Sequence, residues 1–577
     1  MKGGSAKWRR EQIVALSGAV IFVLFCGACT VSMEANCRSD DDCSAEQICL
    51  GGGGIVVRDG VCVDDPAVPD ASPPQDTTVL EDTASERDIA DADATVPDAF
   101  GCPPPLVDCG GECVDLDSDR DHCGGCGLAC DQGRACEVGV CSDDCLSGYF
   151  ECGDVCVDLQ TDLAHCGGCN QACELDQSCS QGLCCDDGLM VCDGACVDPL
   201  SNSTHCGECG NGCELGCVDG QCDEFVQISA GGYHTCVRLA GGSVWCWGSN
   251  DQGQLGDGTG IVSSTPVAVE GVEDAVHISA GRYHSCVVLE GGAVKCWGDN
   301  SFGALGEGSQ PSPTGDTPVE VEGITDAVGV SAGRSFSCAV LDDGTARCWG
   351  RNNDGALGDG TIVDSEFPVE VQQLESAVQI DCGNANACAR LDNGNIRCWG
   401  RNEFGQLGDG TTTDRQAPVT VVGLSGAVDI SVSRRRGHDV ACSTLQSGEI
   451  ECWGRNNNGQ LGVGMPIDNS STPVTVVGVS TGTEVVAGNM HVCAIAAGAV
   501  RCWGLNNYGQ LGDGSDEQSF EPTEVLGISD AIDISAGYRH SCAIAEPTEI
   551  LCWGWNDDGQ LGDGTFTDET IPVPVQW

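Results

Sequence analysis

Residues 275–306 read AVHISAGRYHSCVVLEGGAVKCWGDNSFGALG, and close variants of this text fill residues 225–577 in seven copies. Each copy carries Cys-Trp-Gly, beginning at Cys246, Cys296, Cys348, Cys398, Cys452, Cys502 and Cys552, with spacings of 50, 52, 50, 54, 50 and 50. A unit this short cannot bury a core alone, so the copies must stack in a row or a ring. Within the second copy, Ala275–Gly281 alternates like a strand, and Ser285–Leu289 reads as another. Gly291-Gly292 makes a turn and Ala293–Gly298 returns. A Gly-rich loop runs from Asn300 to Gly308, and Pro318–Val321 forms a last strand. Four short strands per copy predict an all-β fold and fit a propeller blade.

Three markers recur through the copies. They are Ala-Gly-x-x-His (Ala280, Gly281, His284), Trp297-Gly298, and Asn-x-x-Gly-Gln-Leu-Gly (Asn250, Gly253, Gln254, Leu255, Gly256). In these the chain resembles the regulator of chromosome condensation repeat family, over residues 225–577. The resemblance implies an all-β fold, a seven-bladed β-propeller. It also implies two kinds of function: guanine nucleotide exchange on a small GTPase, or protein binding as in secreted bacterial β-lactamase inhibitors of this family. The first copy opens at Phe225 without a preceding Pro-Val-x-Val strand, and the chain ends in Pro572-Val573-Pro574-Val575-Gln576-Trp577. The C-terminal strand is therefore expected to pair into the first blade and close the ring, leaving no exposed edge.

Each Cys-Trp-Gly cysteine has a partner upstream. The pairs are Cys236–Cys246, Cys286–Cys296, Cys338–Cys348, Cys388–Cys398, Cys442–Cys452 and Cys542–Cys552, ten residues apart, and Cys493–Cys502, nine apart. Both members stand on adjacent strands of one hairpin, equidistant from its turn, which suits a disulfide. Buried thiols filling apolar positions are the alternative. With 45 cysteines in 577 residues, disulfides in an oxidising compartment are the simpler reading. The N-terminus agrees: Lys2, Lys7, Arg9 and Arg10 precede an apolar stretch, Ile13–Phe25, which is short for a membrane span. It ends in Cys26-Gly27-Ala28-Cys29, so residues 1–28 resemble a bacterial lipoprotein signal with Cys29 as the lipidated residue. Plain secretion and a retained anchor are the alternatives. The resemblance implies an extracytoplasmic place, at a bacterial outer membrane or cell surface.

Residues 29–62 form a small Cys-rich knot holding Cys37, Cys43, Cys49 and Cys62. Residues 63–101 contain eleven Asp/Glu, one Arg and five Pro, and lack the apolar surface that would offset chain entropy. They read as a disordered stalk. Residues 102–222 hold three eight-cysteine modules, 102–141, 145–184 and 185–222. Modules of this size need covalent staples in place of a core, but their connectivity cannot be read from spacing. Their inner text, as in Cys166-Gly167-Gly168-Cys169, resembles the stigma-specific protein family.

Other clusters have competing readings. Asp115, Asp117, Asp119 and Asp121 alternate and suggest calcium, but the pattern fades in the later modules, which favours a solvated acidic loop. His122, His165 and His205 each precede a Cys-x-x-Cys, a zinc pattern in a reducing cell and a disulfide pattern outside one. His234, His284, His491 and His540 share one blade position and read as a structural hydrogen bond. Cys382 is left over as a buried free thiol. No catalytic constellation, metal or cofactor is indicated. The formal charge of −63 excludes a nucleic-acid partner.

What differs between blades is more informative. Of sixteen basic residues in the propeller, fifteen are Arg. Arg351, Arg401 and Arg455 follow Trp-Gly, Arg282 and Arg334 follow Ala-Gly, and blade five inserts Arg434-Arg435-Arg436-Gly437-His438. On loops of a rigid scaffold these arginines are candidate binding residues for an acidic ligand or protein. Scattered solubilising charges are the alternative. The expected function is a surface-anchored binding or scaffold protein, recognising protein or glycan. A propeller-mouth glycan-active enzyme is a further reading. It requires two carboxylates with convergent Arg or Tyr in the central funnel.

Overall fold

The computed structural model describes residues 102–577 apart from 103, 104, 132, 133, 154, 175, 214, 309–313, 436 and 438, together with the backbone of five short strands between Ala15 and Asp64. The signal segment, lipidation at Cys29, the Cys-rich knot, the acidic stalk and Arg436 lie outside the described residues and side chains.

Seven four-stranded antiparallel sheets follow one another along the chain. In blade two the strands are Ala275–Ala280, His284–Leu289, Val294–Asp299 and Thr314–Glu320, from the central axis outwards. The pair Cys286–Cys296 faces directly across the middle hairpin and is bridged, with its Cα atoms 4.1 Å apart. All seven such pairs are bridged. The nine-residue gap in blade six has a local cause. Its hairpin turns through only Ala497 and Gly498, both at positive φ, so the strands stay in register with one residue fewer.

The apolar cores lie between blades. One cluster joins Cys286, Val288, Val294, Cys296 and Leu305 of blade two to Val330, Ala332, Leu341 and Trp349 of blade three. The Trp349 indole N–H donates to the Ala304 carbonyl at 2.8 Å, and the same bond recurs from Trp247 to Gln560 across the join of blades seven and one. The glycine of each Leu-Gly step lies against the next tryptophan: a Cβ at Gly306 would stand 2.8 Å from Trp349 Nε1. Cysteine, tryptophan and glycine of the repeated text thus have separate tasks: bridging one blade, filling the next interface, and making room for that filling.

The ring closes, but not by the expected strand exchange. Glu569–Pro574 is the outer strand of blade seven, with Val573 opposite Cys552, and blade one has its own outer strand, Ser263–Ala268. A Pro-Val-x-Val segment pairs back on the Cys-Trp-Gly strand that precedes it, so each copy is complete in itself. The residues beyond the strand reach blade one with side chains only. Trp577 stacks on Phe225 at 4.8 Å and meets Trp245 and Trp247 edge-on.

Each cysteine-rich module is two short hairpins tied by four disulfides, paired first to third, second to fifth, fourth to seventh and sixth to eighth. Module two shows this as Cys145–Cys156, Cys152–Cys169, Cys166–Cys179 and Cys173–Cys184. Backbones touch where a larger residue would not fit: a Cβ at Gly167 would lie 2.4 Å from the Gly182 carbonyl oxygen. The third module meets the propeller at the hairpin end of blade one, where Asp223 accepts from the Gly241 amide at 2.9 Å.

Candidate functional site

In each blade the loop after the inner strand and the loop after Trp-Gly lie side by side. Arg351 donates its backbone N–H to the Ser335 carbonyl, Arg401 to Ala385 and Trp555 to Arg539, each at 2.9 Å. These loops make one face of the ring. The hairpin turns, with the contact between Asp223 and the blade-one turn, are at the opposite end of the blades.

Four histidines latch neighbouring blades beneath this face. His234 Nε2 is 2.8 Å from Ser285 Oγ, His284 is 2.9 Å from Ser337, His491 is 2.8 Å from Ser541, and His540 is 3.0 Å from Thr235. Each hydroxyl also donates to a backbone carbonyl, for instance Ser337 to Ala304, so the imidazole is the donor to it. Burial lowers these histidines to about 3 (His234, His491, His540) or about 4 (His284), and keeps them neutral. They are structural, and Phe336 fills the same place in blade three with packing alone.

The arginines separate into three groups. Arg334, Arg351 and Arg401 line one recess between blades three and four. Arg334 bonds the Asn384 amide oxygen at 3.2 Å, Arg351 lies 4.8 Å over Phe302, and Arg401 pairs with Glu403. Arg282 belongs to an aromatic group: it lies 4.6 Å from the Tyr283 ring and 5.5 Å from Tyr538, while Tyr233 and Tyr283 stack at 5.2 Å. Arg435 lies 5.8 Å from the Tyr538 ring as well, and Arg539 covers Tyr508 at 4.5 Å and Trp555 at 5.6 Å. Arg455 lies over Phe404 and holds the Gly437 carbonyl. Arg434 is turned inwards, where it pairs with Asp381 at 3.2 Å, and its carbonyl accepts from Tyr538 Oη at 3.1 Å. The blade-five insertion therefore reaches across the channel mouth to blade seven.

The sequence pattern had not marked the aromatic group or the channel. Tyr233, Tyr283 and Tyr538 occupy the variable positions of Ala-Gly-x-x-His, where a blade-by-blade comparison would have found them. The central channel holds a belt formed by one residue from the same position of each inner strand: Gln227, His277, Gly329, Gln379, Asp429, Glu484 and Asp533. Three neighbouring blades thus contribute acids. Asp533 accepts from the Ile228 amide at 2.6 Å and Asp429 from Val485 at 3.1 Å, so these carboxylates tie one inner strand to the next. Burial pushes Asp533 up to about 6 and raises Asp429 and Glu484 as well.

The remaining clusters resolve locally. Asp115 and Asp119 cap their own turns, accepting from the Asp117 and Asp121 amides at 3.0 and 2.9 Å, and His122 and His165 rest on Asp119 and Asp162. The cysteines beside those histidines are all bridged. Cys382 is free and buried, with its thiol pushed up by burial.

The RCC1-like domain family matches residues 166–485, more than half of the chain. The chain belongs to this family. Regulator of chromosome condensation repeats match again at 497–544 and 549–577, and the stigma-specific STIG1-like family at 100–144. The RCC1-like fold is also that of human WBSCR16, 20% identical over 58% of this chain and 95% of that one, with a TM-score of 0.54. Yeast RCC1 (Prp20), solved bound to Kap60, is 19% identical over 62% and 84%, with a TM-score of 0.52. No curated protein matches the sequence. The chain thus carries an RCC1-like propeller that is heavily disulfide-bonded.

Proposed function

We propose that this RCC1-like protein works outside the cytoplasm as a surface-anchored binding protein, with the loop face of its propeller as the recognition surface. The observation that carries the reading is covalent: nineteen disulfides join 38 of the 39 cysteines in residues 102–577. Such a set is kept only where thiols are oxidised. Lipid on Cys29 would anchor the chain, residues 63–101 would space it from the surface, and the modules would carry the propeller by its hairpin end. Mass spectrometry of the mature N-terminus and protease shaving of intact cells test this; an unmodified end and a protected propeller overturn it. Recognition is tested by capturing partners with the full chain and its Tyr283→Ala variant, and undiminished capture counts against the loop face.

The exchange-factor reading comes from the family and needs a reducing compartment. Recovering the native chain reduced from cytoplasm would restore it. The enzyme reading has one observation in its favour, since the channel does hold carboxylates and Arg434. However, the channel encloses about 170 Å3, below the ~300–1,000 Å3 of ordinary ligand sites, and Asp381, Asp429 and Asp533 are engaged with backbone amides of the next blade.

A further inference from the structure

The residue after Trp-Gly decides how much room each blade leaves on the loop face. It is Asp299, Arg351, Arg401, Arg455, Leu505 and Trp555 in blades two to seven, and Ser249 in blade one. Beside Ser249 the face opens into a cleft of about 490 Å3, within the ~300–1,000 Å3 of ordinary ligand sites. Tyr233 and Tyr283 border it. They stack at 5.2 Å with their planes 7° apart, and Trp555 braces Tyr233 edge-on at 5.6 Å, so this border is held in place before any ligand arrives.

The cleft leaves both donors and acceptors open. Gln254, which lines it, is fully buried; its Oε1 accepts from the Gln252 amide at 2.9 Å, while its Nε2 has no partner. The same amide is unpartnered at Gln406, Gln460, Gln510 and Gln560, but there the residue after Trp-Gly is large. Asp251 and Asp558 bring carboxylates to which none of the described residues donates, and Asp299 brings a third, which accepts from the Ser301 amide at 3.0 Å. Burial and the neighbouring Asp251 and Asp557 raise Asp558 above the usual carboxylate range. These carboxylates oppose an anion. A cation is opposed by Arg282, Arg435 and Arg539, all packed on the aromatic group that borders the cleft. An ammonium or guanidinium also has no lone pair for Gln254 Nε2, and a carboxylate has no proton for Asp251 and Asp558. A hydroxyl offers both.

Building on the loop face as the recognition surface, we propose that the cleft beside Ser249 binds a sugar of an uncharged glycan, whose neighbouring hydroxyls donate to Asp251 and Asp558 and accept from Gln254. The small serine makes the room, and the mixed polar groups select a ligand that carries many hydroxyls and no charge.

The test uses the full disulfide-bonded chain and fluorescently labelled probes. These are neutral trisaccharides of glucose, galactose, mannose or N-acetylglucosamine, a sulfated galactose trisaccharide, and a Gly/Ser peptide with a central Lys. At least one neutral trisaccharide is expected to bind more tightly than the sulfated one and the peptide. Ser249→Arg, which puts the side chain of blades three to five into the cleft, should weaken that binding at least about tenfold. Asp251→Ala and Asp558→Ala should each weaken it about fivefold, the scale of one lost hydrogen bond. Asp558→Asn keeps an acceptor and should lose less, and Lys295→Gln, outside the cleft, should bind as the wild type does. Unchanged melting temperatures show that the variants fold. No binding of any neutral trisaccharide, tighter binding of the sulfated trisaccharide or the Lys peptide, or binding that survives Ser249→Arg overturns the proposal. Partner capture that is lost in Tyr283→Ala but kept in Ser249→Arg, with no neutral trisaccharide bound, overturns it while leaving the loop face as the binding surface.

Discussion

The modules and the propeller are both built from disulfide-bonded repeats, yet the bonds serve them differently. In module two, four bridges tie about forty residues, and among its described residues only Cys156, Val157 and Cys166 are buried. In the propeller each bridge is an addition to a core that exists without it: Trp297, Leu255 and Ile278 are fully covered beside it. Staples substitute for a core where the chain is too short to make one, and supplement it where interfaces between blades supply enough apolar area.

Reduction should separate the two regions most strongly. Each module bridge contributes roughly 2–4 kcal/mol, so dithiothreitol should unfold residues 102–222 while the ring persists. Hydrogen exchange read by mass spectrometry should show fast exchange in the modules and retained protection in 225–577. Equal loss in both would mean that the ring also depends on its bridges. Next in size is the core itself. Trp399→Ala removes a fully buried indole and its 2.8 Å bond to the Ala356 carbonyl, at a cost of about 3–5 kcal/mol. Thermal denaturation should show this loss even with every disulfide intact.

The channel acids offer a subtler probe. Burial holds Glu484 and Asp533 above the ordinary carboxylate range, Asp533 at about 6. The folded ring therefore keeps protons that the unfolded chain releases above about pH 4, and these groups weaken the fold as pH rises through about 6. The double variant E484Q/D533N should melt higher than the wild type near pH 8, and the advantage should shrink towards pH 4. The buried histidines act in the opposite sense. They stay neutral in the fold and take up protons below about 6.5 once unfolded, so both proteins should lose stability on acidification. An advantage that does not change with pH would remove the carboxylate explanation. The smallest effect concerns the seam. Trp577→Ala should cost about 1 kcal/mol, the scale of an exposed aromatic contact, because the seam needs no C-terminal strand in blade one. A collapse of the ring would show the closing tail to be indispensable.

The repeat, the seven paired cysteines and the four strands of each blade were legible in sequence, because local spacing decides them. A cysteine ten residues before another on one hairpin can hardly avoid it. The seam was misread because Pro572–Val575 is equally good text for pairing forwards or backwards; only the adjacent Cys-Trp-Gly strand, reached by the shorter loop, breaks the tie. Arg334, Arg351 and Arg401 were visible as exceptions to the repeat. That they share a recess, while Arg434 turns into the channel towards Asp381, was not visible, since it depends on the blade angle and on the path of one inserted loop.

Sequence by itself determined the architecture and its covalent chemistry, because a repeated unit meets its neighbours through the same contacts each time. Tertiary structure alone decided the shared arginine recess of the loop face and the acid belt of the channel. Those groups come from different blades, tens to hundreds of residues apart, and only closure of the ring brings them within reach of one another.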